Sequence, residues 1–302
     1  MAPWLTRKFH RRENFGRAYL PLAITGSTGG LTMNLLQRIH TTIDRGASAP
    51  GVRRLVLSSY RKEFVRNRGQ NLFCDVFDTF ESAAASAATY GVVGYDNEAS
   101  ADMYLTHMRA DAHDYPAMFW LEKSFEAGMR SVLDLGGSVG IKFYAFRNAI
   151  PLPPDTDWTV VDVPAAVRKG AALAAERGVV PMLHFNDQIS AGDGSEILFA
   201  SGSLQYLPHT LDTYLRSWKR LPRRVIINIT PIHPDTEFFT VNSIGTAFCA
   251  YRVQTQAGLV SGLASLGYAL RDSWANLGKH LDLPLHPELS LDHYRGFCLD
   301  RR

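Results

Sequence analysis

The chain has 302 residues, 46% of them hydrophobic and 20% charged, which is material for a sizeable core and excludes global disorder. No stretch reaches the roughly 18 uninterrupted apolar residues that cross a bilayer. The best, residues 19–36, is broken by Pro21, glycines and hydroxyls and lacks the order of a secretory leader. The net charge of +3 conceals a split, because residues 1–70 carry 13 basic and 3 acidic side chains and the remainder 19 and 26. Cys74, Cys249 and Cys298 are far apart and form no C-x-x-C pair, so reduced, buried thiols in a soluble cytoplasmic protein are expected.

Three zones follow in chain order. Residues 1–70 form a basic N-terminal extension, with a helix predicted at 31–44 and a strand-like run, "RRLVLSS", at 53–59. Its charge is expected to be solvated, since no aromatic interleaving or nucleic-acid module accompanies it. Residues 71–130 read as a helical cap. Thr79 and Asn97 stand as N-caps before predicted helices at 79–91 and 97–110, and Pro116 lies in the first turn of another at 115–128.

From 131 to 302 apolar strand candidates alternate with helices. The strands are predicted at 131–136, 158–163, 181–186, 196–201 and 224–230, the helices at 139–149, 164–177, 208–220 and 244–266. Strands apolar along their whole length, joined by helices, belong to a parallel sheet covered on both faces. Two further strands, 267–274 and 293–300, have no helix between them, so the last pair is antiparallel.

In such a sheet ligands bind beyond the carboxyl ends of the strands. The first strand ends in "DLGGSVG", which places Asp134, Gly136, Gly137 and Gly140 at that edge, and the second ends at Asp162. Bare glycines let a ligand approach the backbone, and the following helix offers free N–H groups. A dinucleotide turn needs glycines in the G-x-G-x-x-G register, whereas Gly136 is followed by Gly-Ser-Val-Gly. An aspartate two residues before Gly136 would repel a pyrophosphate and suits a cationic ammonium.

The landmarks "VLDLGGSVG", "VVDVPAAV", "SGSLQYL", "NITPIHP", "NSIGTAFCAYR", "LGYALRDSW" and "SLDHYRGF", together with "FDTFESA", "GYDN" and "DYPAMFWL", resemble an uncharacterised branch of the class I S-adenosylmethionine-dependent methyltransferases, often met beside genes for surface glycans. The resemblance covers residues 71–302. It implies an α/β, Rossmann-like, doubly wound sheet of seven strands with an antiparallel C-terminal hairpin, and S-adenosylmethionine as cofactor. It also implies that Asp134, Gly136, Gly137 and Gly140 contact the methionine part and Asp162 the ribose. Asn186 or Asp187 would face the adenine, with Ser201 and Gly202 under the methionine. Ser138 departs from the usual D-x-G-x-G-x-G pattern.

The expected acceptor is a small-molecule or glycan hydroxyl, or else an amine. The fourth strand end lacks both a D/N-P-P-Y segment and the carboxylates that hold a divalent cation, so no metal is assigned. "DAHD" (111–114) reads as a polar loop whose groups do not converge on an ion. His209 and His233 are the candidate bases, each also explicable as a turn or cap residue. Tyr206, Phe238, Asn242, Asn276 and Lys279 are candidate acceptor contacts, "EFFTVN" (237–242) being a candidate lid. Two other readings compete: a non-catalytic partner subunit that keeps the fold, and a nucleic-acid methyltransferase docked by the basic arm.

Overall fold

The computed structural model describes residues 50–103, 105 and 108–302. The helix expected at 31–44 and most of the basic extension lie outside the described residues. Helix α1, Pro50–Arg66, runs through the segment that reads as a strand at 53–59. Tyr60 and Phe64, four residues apart, bury one face of it, and that helical spacing outweighs the local β-propensity of "LVL". The Phe64 ring meets those of Tyr90 and Phe248 at centroid distances of 5.2 and 5.5 Å.

Strand β1, Leu72–Phe77, interrupts a region expected to be helical. Helix α2, Phe80–Ala88, follows, with Thr79 accepting a hydrogen bond from the Ser82 amide at 3.1 Å as an N-cap should. Helix α3, Glu98–Met103, starts at Asn97 as expected, and α4, Tyr115–Glu126, carries Pro116 in its first turn.

The alternating part then runs β2 (Ser131–Leu135), α5 (Ile141–Phe146), β3 (Asp157–Val161), α6 (Pro164–Glu176), β4 (Leu183–Asn186), β5 (Ile197–Ser201), α7 (Leu211–Leu215) and β6 (Arg224–Thr230). After β6 come β7 (Ile232–His233), β8 (Phe238–Ser243), β9 (Phe248–Thr255), α8 (Gln256–Ala264), β10 (Tyr268–Asn276) and β11 (Tyr294–Arg301).

The main sheet has seven strands in the order β10-β11-β6-β5-β2-β3-β4. The pairs β2–β3, β3–β4, β2–β5 and β5–β6 are parallel, and β11 is antiparallel to both β6 and β10. The chain therefore has the Rossmann-like sheet with an antiparallel C-terminal hairpin that its sequence implied.

Successive residues of the central strands face opposite layers. Val132, Trp158, Val160, Ile197, Phe199 and Ile226 pack with α4 and α5 through Leu121, Phe143 and Phe146. Leu133, Val161, Leu198, Val225 and Ile227 pack on the other side with α7 and α8 through Leu215, Leu259 and Leu263. Each large side chain so buried contributes roughly 1.5–3 kcal/mol to the folded state. Among the described residues no helix is long and apolar enough to cross a membrane.

A second sheet, ordered β1-β8-β9-β7, joins β1 to three strands inserted between β6 and α8. It overturns two expectations. The helix expected over 244–266 is only Gln256–Ala264, because 248–255 is strand β9. "EFFTVN" is no lid: β8 is buried along its whole length, paired with β1 on one side and β9 on the other. Tyr251 and Val253 pack with Phe73 and Phe238, whereas Ala250 packs with Phe239 and with Ala83 of α2. Cover on both faces buries Thr240, Asn242 and Ser243 along with the apolar residues of β8, so no alternation of buried and exposed positions marks the strand in the sequence.

Candidate active site

Strand β2 pairs with β3 on one side and β5 on the other, so the connections diverge at its carboxyl end and open a crevice there. Two positions of the turn after β2 fit only glycine. A Cβ on Gly136 would stand 2.2 Å from the Ser203 Cβ, and one on Gly137 would stand 2.5 Å from the Asp134 Cγ. Gly140 takes φ +87° as the N-cap of α5. Ser138 occupies the left-handed region at φ +54°, which costs a side-chain-bearing residue about 1 kcal/mol. The Ser138 amide compensates by donating to Asp162 Oδ2 at 2.6 Å, while the Val163 amide donates to Oδ1 at 2.7 Å. Asp162 thus ties the turn after β2 to the turn after β3.

Asp134 is 1% exposed, and its Oδ2 accepts from Trp158 Nε1 at 3.1 Å. Burial pushes its carboxyl up to about 7, the Trp158 hydrogen bond and the Lys142 charge oppose that rise, and the neighbouring Asp162 adds to it. Asp162 is likewise held above the usual carboxylate range by burial, with Asp96 adding and its two amide donors opposing. A buried and a half-buried carboxylate under a bare turn form a site that a cation would relieve.

The flanking residues fall as follows. Ser201 ends β5 with its Oγ buried and unpartnered, and Gly202, at φ +73°, donates its amide to the Asn228 carbonyl. Asn186 ends β4 and Asp187 follows it, both exposed and engaged with Gln188 at 2.8 and 3.1 Å.

The two predicted bases lie in different surroundings. His233 is buried, its Nδ1 accepting from the Asp235 and Thr236 amides at 3.2 and 3.0 Å and its Nε2 lying 3.0 Å from the Glu288 carbonyl. Both ring nitrogens are therefore engaged by backbone, and the side chain pins the entry to the second sheet. His209 is exposed, its ring 5.8 Å from that of Tyr214.

Phe238 belongs to the core of the second sheet, and Asn242 lies within that sheet, its amide donating to the Leu72 carbonyl and its Oδ1 accepting from the Tyr206 hydroxyl. Both are structural there. Tyr206 stands between the two sheets, its ring 4.9 Å from Tyr95 and 5.1 Å from Tyr251.

Asn276 and Lys279 belong to a polar cluster over β6 and β10. Asn276 Nδ2 and Trp274 Nε1 donate to Asn228 Oδ1 at 3.1 and 3.0 Å, and Asn276 Oδ1 is buried without a partner. Asn228 Nδ2 is shared between the His113 carbonyl and Asp114 Oδ1, each at 3.2 Å. Lys142, in the first turn of α5, holds both oxygens of the fully buried Asp114 at 2.7 and 2.8 Å. Asp111, His113 and Asp114 bring possible ligand atoms within 4.8 Å of one another, so the "DAHD" groups do converge. The Lys142 ammonium already balances the buried carboxylate.

His113, Asp114, Lys142, Asn228 and Trp274 escape sequence reasoning as a site. The one local sign is Asn228, a polar residue inside the apolar run "RVIINIT".

No protein-family model matches the chain, and no curated protein matches it. Among solved structures it is similar to the 1,6-didemethyltoxoflavin-N1-methyltransferase of Burkholderia thailandensis, bound to 1,6-didemethyltoxoflavin and S-adenosylhomocysteine, at 19% identity and TM-score 0.46 over 73% of this chain and 89% of that one. It is also similar to the cyclase SpnF, at 12% identity and TM-score 0.48 over 75% and 97% of the respective chains. A third is the magnesium protoporphyrin IX methyltransferase of Synechocystis PCC 6803 with S-adenosylhomocysteine, at 15% identity and TM-score 0.42 over 74% and 96%. Likeness of architecture does not fix chemistry, which depends on the side chains at the site.

Proposed function

We propose that the chain is an S-adenosylmethionine-dependent methyltransferase acting on a small-molecule or glycan hydroxyl, with residues 131–302 as the transfer domain and 71–130 covering it. The observation that carries this is the pair of carboxylates, Asp134 buried and Asp162 half-buried, under a turn in which Gly136 and Gly137 have no room for a Cβ. When bound, the cofactor supplies a methyl group on a positively charged sulfur, which leaves with the C–S electron pair retained by sulfur.

The chain's own groups would hold it in place. Each Asp162 oxygen accepts one amide and keeps a lone pair for a ribose hydroxyl. Asp134 offsets the positive charge of the methionine part from beneath the turn. The unpartnered Ser201 Oγ and the open backbone at Gly202 suit the carboxyl edge under that part, and Asn186 or Asp187 suits the adenine. Much of the catalysis then comes from positioning.

Isothermal titration with S-adenosylhomocysteine tests the proposal. Micromolar binding is expected, weakened roughly 10- to 100-fold in Asp162→Ala, the size of a hydrogen bond to a charged group. Absence of binding at millimolar ligand overturns it.

A further inference from the structure

The two sides of helix α1 differ in kind. Tyr60 and Phe64 anchor one side in the fold, both fully buried. Arg54, Arg61, Lys62, Val65 and Arg66 recur at helical spacing on another side, and all five are exposed. Together with Leu57 they line a cavity of about 530 Å³, which has room for a phosphate headgroup. Arg61 is engaged within the fold, donating to both Asp75 oxygens at 2.8 and 2.9 Å. Arg54, Lys62 and Arg66 have no ion-pair partner among the described residues.

Aliphatic side chains run between these cations. Leu55 shares a helical row with Lys62 and Arg66 and is 74% exposed, while Val65 shares one with Arg54 and Arg61 and is 46% exposed. Val92 and Val93, also exposed, sit beside Phe248, whose ring meets that of Phe64. The segment that leads into α1 offers no complementary charge, because residues 1–49 carry 7 basic side chains and 2 acidic ones.

We propose that α1 docks the chain on a bilayer that contains anionic phospholipids. Arg54, Lys62 and Arg66 meet the headgroup phosphates, and Leu55 and Val65 enter the boundary with the acyl chains. Cations interleaved with aliphatic side chains on an exposed helix face match that interface, where charge attraction and apolar burial add. Nucleic acid fits this face less well. Both aromatic rings of α1 are buried, which leaves none to stack on a base, and a partner read by phosphate alone makes no use of Leu55. Cofactor binding plays no part in this docking.

Co-sedimentation of the full chain with vesicles is the test. Mixed phosphatidylcholine–phosphatidylserine vesicles should carry the wild type down, and pure phosphatidylcholine vesicles should not. Raising the salt from about 0.15 M to 1 M, which shortens the screening length from about 8 Å to 3 Å, should release it. Replacing Arg54, Lys62 and Arg66 together by Gln should weaken binding about 100-fold, at about fivefold for each cation. Leu55→Gln alone should weaken it about tenfold. These side chains are exposed, so urea midpoints should match the wild type. No binding of the wild type to mixed vesicles, equal binding to both kinds, or full binding by the triple variant overturns the proposal. Loss in the triple variant with none in Leu55→Gln overturns it as well and points to a partner read by phosphate alone.

Discussion

Over β2 and β3 the carboxyl edge is shaped by backbone: Gly136 and Gly137 are pressed against Ser203 and Asp134, and two amides converge on Asp162. Over β6 and β10 it is shaped by side chains from separate segments, with Asn228 joining Asp114, Trp274 and Asn276. A backbone-built surface suits a ligand that never changes, since only glycine satisfies it. A side-chain-built surface can be re-specified one residue at a time, which suits the partner that differs from enzyme to enzyme.

The contrast breaks most decisively at Gly137. In Gly137→Ala the new methyl collides with the Asp134 carboxylate, so the turn must move, and S-adenosylhomocysteine affinity should fall about 10- to 100-fold by calorimetry, in line with the steric cost of overpacking. A loss under threefold would mean that the turn does not contact the ligand.

Asp134→Asn sharpens it. The wild-type carboxyl holds its proton up to about 7 when folded, against an ordinary value of 3.8, so the folded state carries more protons between those two pH values. Stability therefore falls as pH rises through that window and is restored on acidification. The loss amounts to at most about 4 kcal/mol at pH 8. The carboxamide that replaces the carboxyl cannot ionise, so urea titrations at pH 5 and pH 8 should show the variant gaining on the wild type at the higher pH while binding cofactor less well. Parallel stability profiles would sink the claim.

The smallest effect tests the exclusion of His233. His233→Gln loses backbone hydrogen bonds and should destabilise by about 1–3 kcal/mol in the same titrations, with S-adenosylhomocysteine affinity unchanged. A folded variant with weakened cofactor binding would return His233 to the site.

The same difference explains what could be read from the sequence. The glycine turn and Asp134 sit within seven residues, and Asp162 directly follows the neighbouring strand, so local pattern and strand order were enough to bring them together. The terminal hairpin was legible because the proline-containing segment between β10 and β11 carries no helical pattern. His113, Lys142, Asn228, Asn276 and Lys279 are drawn from four widely separated segments, and only the folded chain shows that they meet. "DAHD" looked like an exposed loop because its neutralising partner, Lys142, is 28 residues from Asp114. The second sheet was missed because β8 and β9 are buried on both faces and show no period-2 pattern, so β8 read as a lid and β9 as part of a helix.

That second sheet bears on how the chain is made. Thr240 Oγ1 reaches back to the Cys74 carbonyl across 166 residues and Asn242 to the Leu72 carbonyl across 170. During N-to-C synthesis on the ribosome the segment "LFCDVF" emerges long before the strand it must zip to, and closing so wide a loop is slow. The nascent protein therefore carries an unmated, sticky ribbon for most of its translation, a natural place for a chaperone to hold it.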